Sequence, residues 1–347
     1  MIHLGIDHHK KWDIVVAIND AGEVILECRV ASTRDGWEQL KAALPAGEPI
    51  RSVLEAGWNW GKLYDVLEEL GFNPKLANAL KVRLIAESRI KTDKRDALAL
   101  AQMLRMDWIP EVHVPVRETR DSKNLLRQRA WLIRQRTGLK NRIHSILDRN
   151  HLELPEVSDV FGARGKAWLN ALELRSPDDL LLDAHLGLFD SIQSQVRETE
   201  RWIDEALKEH PDLEILTSLP GVGKLLGAMV ALEIDGIERF DSAEKLCAYA
   251  GLVPSVYQSG ESRNTGRLIS SCNRHLRYAF IEAAWTAVRI SPYFSSFYRR
   301  VKARKGSQVA VGAAARKLCA IAFHCLKGRR RYVEKPYRFR PAALVVS

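Results

Sequence analysis

The sequence predicts an α/β domain at the N-terminus, followed by a long helical arm and a mostly helical C-terminal domain. Three observations predict this order: short alternating strands before residue 31, a seven-residue leucine repeat in mid-chain, and apolar helical periodicity after it. A length of 347 residues exceeds what one hydrophobic core usually serves, so we expect two or three domains. With 46% apolar and 28% charged residues, the composition is that of a folded protein.

The N-terminal domain, placed at 1–115, begins with three stretches of strand character: His3–Asp7, Trp12–Ile18 and Val24–Val30. Strands and helices then alternate, with helices predicted at 35–44 and 62–70, strands at 51–54 and 74–77, and further helices through Met106. Three antiparallel strands followed by such units have the order of an RNase H-like domain.

The arm region, placed at 116–212, begins with a predicted helix over 118–149. Its leucine repeat is that of a coiled coil and consists of Leu125, Leu132, Leu139 and Ile146. A second amphipathic helix, around Ile192 to Leu207, is the expected partner, from this chain or from a second subunit. Residues 117–149 carry ten basic and three acidic side chains, so we expect phosphate contacts from Arg127, Arg134 and Lys140 rather than a merely solvated face.

The C-terminal domain, placed at 213–327, opens with a Pro-Gly-Val-Gly turn that runs into an apolar helix. Such a turn is typical of a helix-hairpin-helix phosphate contact, here through Gly221, Gly223 and Lys224, although an ordinary tight turn fits equally well. A basic aromatic tail over 328–347 could follow a nucleic-acid backbone or be a solvated terminus.

The remaining composition narrows the partners and the compartment. The net charge of +10 favours a polyanionic partner. Five scattered cysteines without a CxxC pair predict buried thiols rather than a disulfide framework or zinc ribbon. The N-terminus lacks the apolar core of a signal peptide, and no stretch approaches the ~18 apolar residues of a membrane span. We therefore expect a cytoplasmic protein with no membrane partner.

Four carboxylates are candidates for metal binding. Asp7 ends the first strand, Glu55 follows a later strand, and Asp93 and Asp96 stand three residues apart on a predicted helix. Each acid taken singly is typical of a solvated surface, but in an RNase H-like sheet their elements converge. Crowded carboxylates need neutralising cations, and hard oxygen ligands select Mg²⁺ or Mn²⁺.

Six segments, in this order, resemble the transposases of the insertion-sequence 110 family: Gly5–Lys10, Leu54–Gly57, Lys91–Ala97, Leu219–Lys224, Ala248–Pro254 and Gly266–Arg277. The resemblance covers nearly the whole chain, and the motifs are specific jointly rather than singly. It implies a RuvC-like domain that holds the four carboxylates, and a C-terminal domain with a catalytic serine. It also implies guidance by a structured RNA, the bridge RNA of the mobile element.

By this resemblance Ser259 stands at the position of the catalytic serine, and Ser262 is the alternative nucleophile. Without the resemblance, a Ser-Gly pair in a polar loop is typical of a plain turn. The nearby cations expected to contact nucleic acid or to support the reacting phosphate are Arg263, Arg267, Arg274 and Arg277.

The resemblance implies strand exchange through a covalent phosphoserine intermediate, in dimers or tetramers that bind donor DNA, target DNA and the guide RNA. Two alternatives stay open at the level of the sequence. One is a metal-dependent endonuclease of the Holliday-junction resolvase type, in which the acids activate water and Ser259 is only structural. The other is a catalytically silent nucleic-acid scaffold.

Overall fold

The computed structural model describes residues 1–57, 59–85, 92–259 and 262–334; for 257–259, 262, 263 and 265 it describes the backbone alone. The part of the tail beyond residue 334, with Tyr337 and Phe339, lies outside the described residues. The chain divides into two compact units, Met1–Val114 and Pro115–Ser347.

The first unit is built on a five-stranded sheet of order β3-β2-β1-β4-β5. Its strands are β1 (Ile2–His8), β2 (Trp12–Ile18), β3 (Val24–Ala31), β4 (Ile50–Glu55) and β5 (Pro74–Ala77). The first three strands are antiparallel neighbours, whereas β4 runs parallel to β1 and β5 runs parallel to β4. This is the predicted RNase H-like order, and the strand predictions are confirmed to within one or two residues at each end.

Helices cover both faces of this sheet. They are α1 (Arg34–Ala43), α2 (Trp60–Glu69), α3 (Ala79–Ile85) and α4 (Asp93–Arg105). Even-numbered residues of β1, such as Leu4, pack with α1 and α2 in one core, which also holds Trp37 and Leu63. The opposite face packs against α4, because β2 residues contact Ala97 and Ala101. Because side chains alternate along β1, its odd-numbered residues face α4.

The second unit begins with two long helices, α5 (Arg117–Arg149) and α7 (Asp178–Ala206), with the short α6 (Ala163–Asn170) between them. Arg129 donates to Glu200 over 2.7 Å, Arg136 donates to Gln193 over 2.8 Å, and Arg149 donates to Asp178 over 3.0 Å. The residue numbers of the partners on α7 decrease as those on α5 increase, so the two helices are antiparallel. The partner of the leucine repeat thus comes from this chain.

Beyond the arm lie α8 (Leu213–Thr217), α9 (Lys224–Ile234), a 3₁₀ turn (Ile237–Arg239), α10 (Ala243–Tyr249), α11 (Arg274–Ile290) and α12 (Pro292–Lys327). One antiparallel hairpin, β6 (Pro254–Ser259) and β7 (Ser262–Leu268), interrupts the helices where the sequence indicated only a loop. Three of the five cysteines, Cys247, Cys319 and Cys325, are buried, whereas Cys28 and Cys272 are half-buried.

Helix α12 corrects one expectation. By length and composition alone it could cross a membrane, so the expectation that no stretch of the chain reaches that length was wrong. However, 56% of its most apolar stretch is buried inside the protein, and Ala314, Leu318 and Ala322 belong to the core of the second unit. Non-helical backbone at Gly306 also breaks it into two parts (φ 79°, ψ 170°). The burial accounts for its apolar composition as that of a core helix.

Candidate metal centre and nucleic-acid surfaces

Asp7 and Glu55 stand at the same edge of the sheet because β1 and β4 are parallel neighbours. The register pairs Ile6 with Leu54, and each acid is the next residue of its strand. Asp7 has 27% of its side chain exposed, and Glu55 is half-buried. Two carboxylates on adjacent strand ends repel each other in a partly desolvated place, so this edge favours a cation.

Gly5 brings helix α4 to this edge. A Cβ on Gly5 would lie 1.8 Å from the carbonyl oxygen of Ala97 and 2.6 Å from the amide nitrogen of Ala101. The backbones of β1 and α4 therefore touch where only glycine fits. Because α4 begins at Asp93, this contact brings its first turn to the end of β1.

The start of α4 is fixed by a side-chain cap. The hydroxyl oxygen of Thr92 accepts a hydrogen bond from the amide of Arg95 over 3.3 Å. Asp93 and Asp96 both lie in the first turn, where carboxylates favour the positive end of the helix dipole. Asp93 is 59% exposed and Asp96 is half-buried. The capped first turn supplies two acids to the same edge that Asp7 and Glu55 occupy.

The side chains that come together at this edge are Asp7, Asp93 and His9, whose possible ligand atoms all lie within 4.8 Å of one another. Nε2 of His9 lies 3.3 Å from an oxygen of Asp7 and 3.3 Å from an oxygen of Asp93. Glu55 and Asp96 are outside this tight cluster, on the neighbouring strand end and later in the same helical turn. The donor set of two carboxylates and one imidazole fits a divalent ion such as Mg²⁺ or Mn²⁺.

His8 points the other way and has a structural role. Its Nδ1 lies 2.6 Å from the fully buried Asp13, and the indole Nε1 of Trp37 donates to the same carboxylate over 3.1 Å. The hydrogen bond that His8 donates to Asp13, and then the charge of Asp13, raise the pKa of His8 above its usual value, and burial partly opposes them. This buried group holds the end of β1 from the face opposite the acids.

The two candidate serines flank the tip of the β6–β7 hairpin. Ser259 is the last residue of β6, Ser262 is the first of β7, and the two are paired across the hairpin. Gly260 and Glu261, and the side chains of Ser259, Ser262 and Arg263, lie outside the described residues. The backbone places both serines at the ends of paired strands rather than in an irregular loop.

Two of the predicted nucleic-acid contacts of the C-terminal domain are used inside the protein. Arg277 donates to the carbonyl oxygens of Gly251 and Ile269, so it ties the hairpin segment to α11. A Cβ on Gly221 would lie 2.2 Å from the carbonyl oxygen of Ala283, so this glycine is needed for close packing against α11. By contrast, Gly223, Lys224, Arg267 and Arg274 are exposed.

The arm residues divide in the same way. Arg127 lies 3.5 Å from the carboxylate of buried Glu233, and Lys140 lies 4.5 Å from the ring centre of Phe161. Arg134 is exposed. Lys140 also lines a cavity of about 390 Å³ that sequence reasoning missed; its lining includes Arg136, Lys166, Arg197, Phe161 and Phe189, and also Asp159 and Asp190. Asp159 lies 3.8 Å from Lys140 and Asp190 pairs with Lys166, so the pocket has mixed charge and two of its four cations are paired within the arm.

His9, Lys166 and Arg197 were missed for different reasons. A histidine after the end of a strand has no periodic signal, although its place in the first acidic segment could have drawn attention to it. Lys166 and Arg197 are far apart in the sequence and meet only because α6 and α7 fold against α5.

Two family models match this chain. One, described as Transposase IS116/IS110/IS902 family, matches residues 213–299. The other, described as Transposase and named for the DEDD transposases of IS110, matches residues 4–152. Together they include every segment that carries the resemblance and both candidate sites.

Several curated relatives are similar to this chain. The mini-circle putative transposase for IS117 of Streptomyces coelicolor is 32% identical over 53% of this chain and 40% of its own length. A putative transposase of Sinorhizobium fredii, y4qE, is 25% identical over 76% of this chain and 64% of its own length. The transposase for IS1111A of Coxiella burnetii is 26% identical over 82% and 78%. The chain thus spans less than two thirds of the first two relatives.

Proposed function

Because the chain belongs to the IS110 family of insertion-sequence transposases, we propose that it is a site-specific DNA recombinase that moves a mobile element. The observation that carries the proposal is the cluster of Asp7, His9 and Asp93 at the sheet edge, within the region that the DEDD model matches. It supports a divalent-metal site for phosphodiester chemistry.

Asp7, Glu55, Asp93 and Asp96 are the residues that would hold Mg²⁺ or Mn²⁺ and orient the scissile phosphate beside it. When bound, the ion would supply positive charge to the phosphate oxygens and lower the barrier to substitution at phosphorus. The sheet and the capped helix hold the carboxylates in place before DNA arrives, which avoids reorganisation during the reaction.

Strand exchange would use Ser259 as the nucleophile. Its oxygen forms a bond to phosphorus while the bond to one DNA oxygen breaks; the serine gives up its proton, and the leaving oxygen takes one. Rejoining reverses these changes with a hydroxyl of the other strand. The phosphoserine conserves the phosphodiester energy that attack by water would release. The hairpin supports this role because its backbone pairs Ser259 with Ser262 at the ends of the two strands.

The nucleic-acid partners are proposed to be donor DNA, target DNA and a structured guide RNA, bound by a homo-oligomer. The exposed Arg134, Lys224, Arg267 and Arg274 support phosphate contact. Arg277 and Gly221 are better explained by their internal contacts. Sequencing the RNA that copurifies with the protein tests the guide: one defined structured species is expected, and a random cellular mixture contradicts it.

A nicked suicide DNA substrate tests the chemistry. The recombinase traps a covalent protein–DNA adduct, an endonuclease releases free ends, and a scaffold does neither. We expect Ser259→Ala to abolish adduct and recombination while retaining DNA binding, and Ser262→Ala to keep the adduct. If Ser262→Ala alone removes the adduct, the nucleophile is Ser262. If neither substitution matters and free ends appear, the resolvase alternative is correct.

The salt dependence of binding tests the arm. Arg134→Gln should reduce the slope of log affinity against log salt by about one unit, since one phosphate contact is lost. Arg201→Gln is the matched control, because Arg201 is 78% exposed on α7 and lies 4.0 Å from Glu198. Equal slopes for the wild type and Arg134→Gln would assign Arg134 to a solvated face.

A further inference from the structure

We propose that His9 is a ligand of the divalent ion, beside Asp7 and Asp93, and that it gives this site a preference for Mn²⁺ over Mg²⁺. The inference rests on the proposed metal site and adds a nitrogen ligand to the four carboxylates. It is carried by the position of the Nε2 atom of His9 and by the contacts that hold the His9 backbone.

The spacing of the three donors fits one ion. In octahedral coordination with metal–ligand bonds of about 2.1 Å, neighbouring ligand atoms are about 3 Å apart. The two measured separations from Nε2 of His9, 3.3 Å to Asp7 and 3.3 Å to Asp93, are close to that edge length. An ion at this place would contact one carboxylate from the sheet, one from α4 and the imidazole between them.

The Nε2 atom of His9 is buried, although 36% of the side chain is exposed, and this atom has no hydrogen-bond partner among the residues that the structure describes. The two carboxylate oxygens are near enough for ion pairing, but neither is placed for a hydrogen bond to the ring nitrogen. A buried nitrogen without a hydrogen bond is costly unless another group satisfies it. A divalent cation bound to Nε2 would supply that partner.

The turn between β1 and β2 holds His9 in this position. Its amide donates to the carbonyl oxygen of Trp12 over 3.2 Å, and its own carbonyl accepts from the hydroxyl of Ser32 over 3.3 Å. The ring of Trp12 lies 6.0 Å from that of His9, and Arg29 stacks on Trp12 with 3.8 Å to the ring centre. The backbone is thus fixed from two sides before an ion binds, which lowers the ordering cost of coordination.

The choice of metal follows from ligand chemistry. Mg²⁺ prefers oxygen donors, whereas imidazole binds the transition metals more readily, and affinity rises from Mn²⁺ towards later ions. An imidazole ligand therefore shifts a carboxylate site towards Mn²⁺. Replacing His9 should remove much of that preference while leaving an oxygen site that still takes Mg²⁺.

Pulsed electron paramagnetic resonance on the full chain with one equivalent of Mn²⁺ tests this directly, because a coordinated imidazole imprints ¹⁴N coupling on the Mn²⁺ echo. We expect the coupling in the wild type and in His151→Gln, which alters an exposed histidine of the second unit. His9→Gln should lose it, and should weaken Mn²⁺ binding by about tenfold with a smaller change for Mg²⁺. Circular dichroism checks that each variant is folded.

The outcomes separate this inference from the proposed function. Mn²⁺ that binds without ¹⁴N coupling, and that Asp7→Asn displaces, overturns the role of His9 and leaves the carboxylate site intact. Coupling that persists in His9→Gln assigns the ¹⁴N signal to another nitrogen and overturns the role of His9 too. Mn²⁺ binding that is insensitive to Asp7→Asn and Asp93→Asn removes the metal site itself, and the inference with it.

Discussion

Two clusters of charged side chains, one in each unit, differ in which groups lie beside their carboxylates. At the sheet edge, Asp7 and Asp93 lie near a single histidine. In the second unit, the buried Glu233 of α9 lies 3.6 Å from Lys123 and 3.5 Å from Arg127, and Asn273 donates to it over 2.9 Å.

The difference separates a structural acid from a functional one. Glu233 is 5% exposed and is neutralised by two cations and an amide of its own chain, so it ties α5 to α9 and to the cap of α11. The acids at the sheet edge are more exposed, and several carboxylates gathered there favour a divalent cation between them. We therefore expect opposite phenotypes: loss of chemistry without unfolding at the first cluster, and loss of stability at the second.

The largest expected effect is at the first cluster. Asp7→Asn or Asp93→Asn should lower DNA strand cleavage by about a thousandfold or more, because each removes a metal ligand. Without added divalent ion, the free energy of unfolding should change little. Cleavage assays with Mg²⁺ measure this, and Asp35→Asn, an exposed acid in the first turn of α1, is the control. Wild-type cleavage by either variant would remove that residue from the site.

The second effect is on stability. Glu233→Ala should lower the free energy of unfolding by about 3 kcal/mol, since it leaves the buried Lys123 without its carboxylate. Urea denaturation measures this loss. The control Glu238→Ala removes a 75% exposed partner of Lys327 and should cost less than about 1 kcal/mol. Equal midpoints for both variants would show that burial does not distinguish the two acids.

The third effect concerns the contact that brings the acids together. Gly5→Ala should destabilise the first unit by about 2 to 3 kcal/mol and also reduce cleavage, because the new methyl group pushes α4 and its two acids away from β1. Gly187→Ala, in open space on α7, should instead stabilise by about 0.5 to 1 kcal/mol. If folded Gly5→Ala cleaves DNA at the wild-type rate, the position of α4 does not matter for cleavage.

The smallest effect is a pH dependence in the second cluster. Burial lowers the pKa of His275 and so do Arg127, Arg134 and Lys123, while Glu233 opposes them. The unfolded chain then binds this proton more readily, so the contribution of His275 to stability is complete above about pH 6.5 and falls as the pH falls further. His275→Gln should flatten urea midpoints between pH 7.5 and 5.5; a slope unchanged from the wild type would show that this residue does not cause it.

Much of the fold could be predicted from the sequence because its periodic signals are strong. The strands, the long helix α5 and the order of the acids along their elements followed from apolar spacing and from where Asp7 and Glu55 stand. The contact between Gly5 and Ala97 could not be predicted, because a glycine in a strand does not identify the segment whose backbone packs against it.

The sites were harder to predict than the fold, because the sequence does not show which way each side chain points. Arg277 looked like a phosphate contact because it follows other basic residues, yet it donates to two backbone carbonyls of its own domain. The leucine repeat of α5 indicated a partner helix but not whether it came from this chain. His9 was missed because its meeting with Asp93 depends on a turn and on a helix start more than eighty residues later.

The most direct test of the central claim, that the cluster at the sheet edge binds a divalent ion, is thermal unfolding of the wild type and Asp7→Asn with and without Mg²⁺ or Mn²⁺. An ion at about a hundred times its dissociation constant stabilises the folded state by about 2.7 kcal/mol. The account predicts a clear rise in the wild-type melting temperature and none in Asp7→Asn, with Glu238→Ala responding like the wild type. A wild type that melts at the same temperature with and without the ions would contradict it.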